Sequence, residues 1–380
     1  MKNQYTELYD ECRGMICSHS AEVMNAVRDE AYENFKSLGF PTKKVERYKY
    51  TDIEKLFEPN YGLNINRLDI PVNPYDAFRC DVPNLSTSLY FVVNDAFYKK
   101  SEPKALLPEG VIVDSLKNQA EKNPELIAKY YAKLAKTDED AITALNTMLA
   151  QDGLLVYVPK NVVVDRAIQV INILRSDVDM MVNRRVLIVV EEGAEAKLLF
   201  CDHAADDRNF LATQVIEAYV GRNASLDLYC LEETHAKNVR VSNLYIDQQA
   251  DSRLNHNVIT LHNGVTRNRV DLSLSGEGAE CVLNGCVIAD KEQHVDNNTV
   301  IGGMVTEKQF YFSSLLNNNK YPAVHHKVNV RAQDIYHLYS SINYYIPRHI
   351  YNQTVLCKHS IKSSYCILTG LGELRVVFCY

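Results

Sequence analysis

The sequence predicts a mainly β fold, with a parallel β-helix core behind an N-terminal α-helical region, on three observations. After Asp152-Gly153 the chain runs in short β-branched stretches between polar turns, with almost no helical periodicity. Within that part Ala167, Ala194, Ala224, Ala250 and Ala279 recur with successive differences in position of 27, 30, 26 and 29, and each has an aliphatic residue four positions later: Ile171, Leu198, Leu228, Leu254 and Leu283. Repeats of this length mark a solenoid, in which each unit buries its apolar face against its neighbours. The region over 1–60 instead places apolar side chains at three- and four-residue steps.

Taken in order, Ala21 to Leu38 predicts one helix with Val23, Met24, Val27, Ala31, Phe35 and Leu38 on a single face, stopped by Gly39 and Pro41. Thr51 to Phe57 predicts a short helix with Thr51 as N-cap and Glu54 three residues on. From 61 to 118, Pro71, Pro74, Pro83, Pro103 and Pro108 interrupt any long element and leave Leu89 to Val93 as one strand. Glu125 to Ala135 and Asp138 to Ala150, rich in Ala, Leu, Lys and Glu, predict helices. The chain therefore divides into a helical region over 1–60, a mixed irregular and helical connection over 61–150, and the β-helix over 151–380. In each repeat, as in Gly193-Ala194-Glu195-Ala196-Lys197-Leu198, a polar turn and a small residue precede alternating side chains, the pattern of a strand with one buried face. A β-sandwich is the alternative, and Asn263-Gly264 and Asn284-Gly285 are the hairpin turns it would use.

Composition narrows the function classes. The 380 residues are 46% hydrophobic and 23% charged, enough to build a sizeable core and too apolar for general disorder. A net charge of −7 gives no overall positive field for nucleic acid or anionic lipid. The longest apolar runs, such as Val186 to Val190, fall far short of the ~20 residues of a membrane helix. Without an apolar N-terminal stretch the expected compartment is the cytoplasm, where thiols stay free. The ten cysteines include no Cys-x-x-Cys, and the pairs Cys12/Cys17 and Cys281/Cys286 complete no four-ligand metal site.

No catalytic constellation emerges from the local chemistry. Asp202-His203-Ala204-Ala205-Asp206-Asp207 is the densest polar cluster and reads as a solvated loop between strands. A β-helix carbohydrate-active enzyme, the rival function, would stack carboxylates and basic groups on one face; Asp247, Asp251, Arg253 and Arg267 are the candidates, and their spacing compels no site. Gly276-Glu277-Gly278 lacks the helix that must follow a phosphate loop. Cys281, on the parity of Leu283, predicts a buried small hydrophobe. Cys201 and Cys286, each seven positions after its repeat alanine, predict stacking in neighbouring turns. His294 reads as a satisfied loop histidine with Asp296 available as a polar partner.

Two stretches carry most of a resemblance, and a third adds to it. Gly39-Phe40-Pro41-Thr42-Lys43-Lys44-Val45-Glu46-Arg47-Tyr48-Lys49-Tyr50-Thr51 resembles the end of the helical region in the SufB/SufD family of iron–sulfur cluster assembly scaffolds. Ala144-Leu145-Asn146-Thr147, followed by Gln151-Asp152-Gly153-Leu154-Leu155-Val156-Tyr157-Val158-Pro159, resembles that family's entry into its core, and His294-Val295-Asp296-Asn297-Asn298-Thr299 resembles a core segment. Residues 20–300 carry the likeness, which is strongest to SufD members. It implies a right-handed parallel β-helix acting as a scaffold with no reaction of its own. SufB-like and SufC-like subunits would be its partners, with neither nucleic acid nor membrane involved. It also implies no stably bound cofactor, only a transient iron–sulfur cluster at the interface of a complex.

Past residue 300 the likeness weakens. Lys362-Ser363-Ser364-Tyr365-Cys366-Ile367-Leu368 matches the stretch from which SufD members supply an interface histidine, so Tyr365 stands in its place, with Cys366 and Lys362 as the other candidate interface positions. A phenol is neutral near pH 7 and a poor substitute for imidazole as ligand or proton relay. Residues 301–380 hold 8 Lys+Arg, 3 Asp+Glu and 9 of the 24 tyrosines, a local charge of +5 against −12 before them. The expectation is a divergent set of β-helix turns in a chain that stops where the family continues into SufC-binding helices. A degenerate, non-functional SufD homologue is accordingly the third reading.

Overall fold

The computed structural model describes residues 4–75, 88–100, 107–289 and 292–303 in full and, by backbone alone, 76–77, 87, 305–316, 323–331, 335–345, 355–359 and 364–368. Its helical layer comprises α1 (Gln4–Ser18), α2 (Glu22–Asn25), α3 (Arg28–Leu38), a 3-10 turn at Glu46–Tyr48, α4 (Ile53–Phe57) and α5 (Pro74–Ala77). The connection adds β1 (Thr87–Val93), β2 (Ala96–Phe97), β3 (Ile112–Ser115), α6 (Leu116–Lys122), α7 (Pro124–Tyr130) and α8 (Ala141–Leu149). Then follow β4 (Leu154–Val158), β5 (Ala167–Leu174), β6 (Met180–Val190), β7 (Glu195–Ala204), β8 (Phe210–Val220), β9 (Ser225–Glu233), β10 (Val239–Gln248) and β11 (Arg253–His262). The run continues through β12 (Val265–Leu274), β13 (Glu280–Ala289), β14 (His294–Gly303), β15 (Val305–Leu316), β16 (Ala323–Arg331), β17 (Ile335–Tyr345), β18 (Val355–His359) and β19 (Ser364–Leu368).

Successive strands from β4 to β17 alternate between two sheets, the first ordered β19-β18-β16-β14-β12-β10-β8-β6-β4-β3 and the second β17-β15-β13-β11-β9-β7-β5-β1-β2. Each pairs in parallel with the strand one coil away, as Leu198 with Leu228 and Ile216 with Leu244. This is the predicted parallel β-helix. The sandwich alternative fails on its own hairpin signals: Asn263-Gly264 joins β11 and β12, which belong to opposite sheets, and Asn284-Gly285 lies within β13. The first coil reaches back before residue 151, since β1 pairs in parallel with β5 and β3 in antiparallel with β4.

The two sheets differ in what covers them, and the sequence shows it. Every position of β6 is buried, because its inner face lines the solenoid and its outer face meets the helical layer. Strand β9, in the other sheet, alternates buried and open positions. Inside, Val156, Ile188, Ala218, Ile246, Leu272 and Ile301 of the first sheet face Leu198, Leu226, Leu254 and Leu283 of the second. Helix α8 is buried along its whole length, and its residues pack with α1 and α3 against Met181, Leu211 and Val241 of the sheet.

One residue per coil sets the turn that leads into the second sheet. Asn161, Gly193, Asn223, Asp251 and Gly278 all take positive φ, from 55° to 72°, the region that Gly, Asn and Asp enter most easily. Four of their N–H groups donate along the solenoid axis to the next coil: Asn161 to Glu192 O, Gly193 to Arg222 O, Asn223 to Ala250 O and Asp251 to Glu277 O, each at 2.9 Å.

The alanine repeat is correct in three of its five members. Ala194, Ala224 and Ala279 precede the laddered residues Glu195, Ser225 and Glu280, but the equivalent of Arg253 is preceded by Ser252; Ala250 lies further upstream in the turn. Ala167 is also out of step, because Ile168, not Ile171, pairs with Leu198. The aliphatic ladder therefore reads Leu198, Leu228, His256, Leu283.

Four local expectations are corrected for physical reasons. The helix predicted over 21–38 divides between α2 and α3, where buried Arg28 reaches the C-terminal carbonyls of α8 (Nη1 to Met148 O, 2.7 Å), and Leu38 is exposed. Asp52, not Thr51, caps α4 by accepting from Lys55 N (3.3 Å). Helix α7 stops at Tyr130, short of Ala135, because the Glu217 carboxylate takes the N–H groups of Ala132, Leu134 and Ala135 at 2.8, 2.9 and 3.1 Å. Helix α8 begins at Ala141 because Asp140 caps it, accepting from Ile142 N and Thr143 N.

His256 is a neutral imidazole in an apolar ladder, 3.4 Å from Leu228 O and beside a cavity of about 20 Å³, room for about one water. Burial lowers its pKa from 6.5 to about 4. The unfolded chain therefore binds more protons between these values, so this term is harmless above pH 6.5 and erodes stability as pH falls towards 4. His256→Leu, which completes the leucine ladder, is expected to remove roughly 2 kcal/mol of the stability that the parent loses between about pH 7 and pH 5, read from urea midpoints at both values.

Candidate functional site

The solenoid interior is not wholly apolar. Where the C-terminal ends of β7, β9 and β11 face the N-terminal halves of β6, β10 and β12, the inward side chains form a buried polar column. Asp202 accepts from Asn172 Nδ2 (2.8 Å), Arg184 Nη1 (2.9 Å) and Arg240 Nε (2.8 Å). Arg240 Nη1 pairs with Glu232 Oε1 (2.8 Å) and donates to Asn268. Glu232 Oε2 accepts from Thr260 Oγ1 (2.6 Å) and Asn268 Nδ2 (3.3 Å), and Asn268 donates on to Asn297 Oδ1 (3.0 Å). At the other end Arg184 Nε donates to Asn94 O (2.9 Å). Hydrogen bonds thus run from the β1–β2 turn to β14.

Two arginines and two carboxylates make the column electrically neutral. Burial alone would raise Asp202, but Arg184 and Arg240 outweigh it and hold the carboxyl below its ordinary range. Glu232 is pushed up by burial, against the pull of Arg240. The arrangement is chemically suited to fixing the two sheets at one separation and register, since each carboxylate is engaged by several donors.

A second polar seam joins the helical layer to the outer face of the first sheet. Thr51 Oγ1 donates to Asp296 Oδ2 (2.7 Å) and lies 3.2 Å from His294 Nε2. Arg267, fully buried, stacks on Tyr48 (3.9 Å to the ring centroid), donates from Nη2 to Arg47 O (2.7 Å) and lies 3.9 Å from Asp296. Burial lowers the His294 pKa while Asp296 opposes the shift. His294 is the first residue of β14, not a loop residue, and Thr51 bridges it to Asp296.

The remaining sequence candidates separate. Asp202 and His203 lie in β7 and Asp202 is buried, so only Asp206 and Asp207 belong to the expected loop, paired with Arg175 (3.2 Å) and Lys237 (2.8 Å). Asp247, Asp251, Arg253 and Arg267 are not brought together: Asp251 is a turn residue, Arg253 starts β11 in one sheet, and Asp247 and Arg267 lie in β10 and β12 of the other. Cys281 is buried as expected and stacks on Leu254. Cys201 and Cys286 share a ladder but not adjacent rungs, because Leu231 and Ile259 intervene, which separates them by roughly 14 Å. Tyr365 and Cys366 lie on β19, where the backbone register sets them opposite Lys358 and Cys357 of β18. Lys362 and the divergent end beyond β19 lie outside the described residues. Among the described residues no three His, Cys, Asp or Glu side chains converge as a metal site.

Arg184, Arg240 and Glu232 escaped the sequence reading. Their signal was present as charged residues at inward parity within otherwise apolar strands, Arg184 in Met180–Val190 above all. Removing one member leaves the others buried and unmatched. Asp202→Ala is expected to destabilise the chain by about 3–5 kcal/mol in urea unfolding, and adding Arg184→Met should recover part of that loss in a double-mutant cycle.

Comparison with known proteins follows this architecture. Residues 1–170 match the family model described as SufBD protein N-terminal region, and 172–306 match SUF system FeS cluster assembly, SufBD core domain. The chain is similar to the Bacillus subtilis (strain 168) iron-sulfur cluster assembly protein SufD, 24% identical over 283 residues, covering 72% of this chain and 63% of that relative. Two Arabidopsis thaliana proteins also match. The iron-sulfur cluster assembly SufBD family protein ABCI9 is 25% identical over 52% of this chain and 46% of the relative; the chloroplastic ABCI8 is 26% identical over 55% and 40%. The chain thus spans less than two thirds of the length of each. With two consecutive SufBD family models that meet within β5 and together cover most of the sequence, the chain belongs to the SufBD family.

Proposed function

We propose that this chain is a scaffold subunit of a Suf-type iron–sulfur cluster assembly complex in the cytoplasm, pairing with a SufB-like subunit and recruiting a SufC-like ATPase. The observation that carries the reading is the order of the two SufBD matches, helical layer then solenoid core, over 1–306. The cluster is cargo in this reading, assembled where subunits meet, and the chain catalyses no reaction of its own.

The architecture is compatible with such a role. A parallel solenoid cannot close its last coil, and an outermost strand offers unpaired N–H and C=O groups to another chain. Among the described residues β17 and β19 are the outermost strands at the C-terminal end of the two sheets, and β19 carries Tyr365 and Cys366. No helix among the described residues is long and apolar enough to cross a membrane.

Co-expression with SufB-like and SufC-like subunits from the same source, followed by size-exclusion chromatography with mass determination, tests the proposal. A complex containing all three is expected, and Tyr365→His in that complex is expected to speed cluster assembly. Recovery with SufB alone would remove the SufC assignment; no association with either would overturn the scaffold reading.

A further inference from the structure

Strand β14 is held from three directions by residues close together in the chain. At its entry buried Gln293 donates from Nε2 to Asn263 O (2.9 Å), which ties the turn before β14 to the turn before β12. On the outer face Asp296 accepts from Thr51 Oγ1 (2.7 Å) of the N-terminal helical region. The next residue, Asn297, faces inward, accepts from Asn268 Nδ2 (3.0 Å) and ends the interior polar column. Thr51, Asp296 and Asn297 are all buried.

The outer contact is made by one hydroxyl. Its single proton goes to Asp296, so in the 3.2 Å contact with His294 the ring must supply the hydrogen, Nε2–H to Thr51 Oγ1. Thr51 thereby fixes two outward positions of β14 at once. Because neighbouring strand residues point to opposite faces, Asp296 and Asn297 together resist a slip of one position from both sides. Such a slip would turn Asp296 into the solenoid and Asn297 out of it, and both bonds would be lost together.

Later coils take their register from this strand. β14 pairs residue by residue with β16, from His294 opposite Ala323 to Gly302 opposite Arg331; β16 pairs on with β18, and β18 with β19. The coils leading up to β14 are unequal, Val239 to Val265 and then Val265 to His294, so no fixed repeat length carries the phase forward. We propose that Asp296, braced by Thr51, and Asn297 are positioning residues that set the phase of the C-terminal coils and, through it, the strand edge offered to a partner subunit. The clause on the partner rests on the scaffold reading; the phase-setting does not. One hydroxyl of the N-terminal helical region then governs order at the opposite end of the solenoid.

Hydrogen–deuterium exchange of the free full chain is the test. Thr51→Val, which removes the hydroxyl and keeps the branched shape, should speed exchange of the β14 and β16 amides by about tenfold, the loss expected for one hydrogen bond to a charged group, with β6 and β8 unchanged. Thr51→Ser should restore parent rates, and Asn297→Ala should reproduce the faster exchange from the inner face. Affinity of Thr51→Val for the SufB-like subunit should fall about tenfold against the parent. Parent-like exchange over β14 and β16, or faster exchange confined to α4 and the residues before it, would overturn the phase-setting. Undiminished affinity despite faster exchange would overturn the link to the edge. A parent chain that binds no SufB-like subunit would instead sink the scaffold reading, while the exchange rates still decide the role of Thr51, Asp296 and Asn297.

Discussion

One buried carboxylate, Asp140, joins the helical layer to the solenoid, and most of the fold's outer architecture follows from it. Its oxygens cap α8 at Ile142 N and Thr143 N and accept from Tyr48 OH (2.5 Å), Arg269 Nη1 (3.0 Å) and Asn243 Nδ2 (3.0 Å). Burial alone would raise this carboxyl; Arg269 and the Tyr48 hydroxyl overcome that and keep it below its ordinary range. The 3-10 turn, α8, β10 and β12 are thereby held at one point. A buried ion that satisfies four elements at once is hard to replace piecemeal, because losing any donor leaves the charge less compensated.

The seam around His294 is a consequence of that anchor. With Tyr48 held at Asp140, its ring lies under the Arg267 guanidinium, and Thr51, three residues on, meets Asp296 and His294. A segment of the N-terminal helical region thus reaches three coils of the same sheet through β10, β12 and β14. In the other sheet, among the described residues, Tyr229, Ile259 and Ile288 are exposed. Over the described coils the two faces are therefore chemically unlike, one closed by polar clamps and one presenting Tyr229, Ile259 and Ile288 to solvent.

Much of the fold was legible because solenoid coils repeat their turn chemistry. The alanine and aliphatic pattern found the coils yet slipped at one of the later ones, since Ser252 takes the place of the small residue and His256 takes the place of a leucine. The left-handed series Asn161, Gly193, Asn223, Asp251 and Gly278 would have given the phase directly, but Asn, Gly and Asp look unlike one another in a search for identity. Thr51 was misread for a related reason. Capping chemistry is local and Asp52 satisfies it, whereas the bond of Thr51 to Asp296 spans 245 residues and leaves no trace in spacing. The polar column was hidden because charge in a strand is ordinarily read as solvent-facing, and Asp202 next to His203, Asp206 and Asp207 looked like part of a loop.

That column explains how coils of unequal length stay in phase. The ladder steps from Asp202 to Glu232 and then, over a shorter interval of sequence, from Glu232 to Thr260, so chain length alone does not define the register. An apolar interior tolerates a slip, because one aliphatic side chain substitutes for another at modest cost. A slip of one position here would turn Arg184, Arg240, Asp202 and Glu232 to the wrong face and leave their partners buried without compensation. The interior ion pairs thus act as the phase mark of the solenoid, and through Asn94 they extend that constraint to the β1–β2 turn at its beginning.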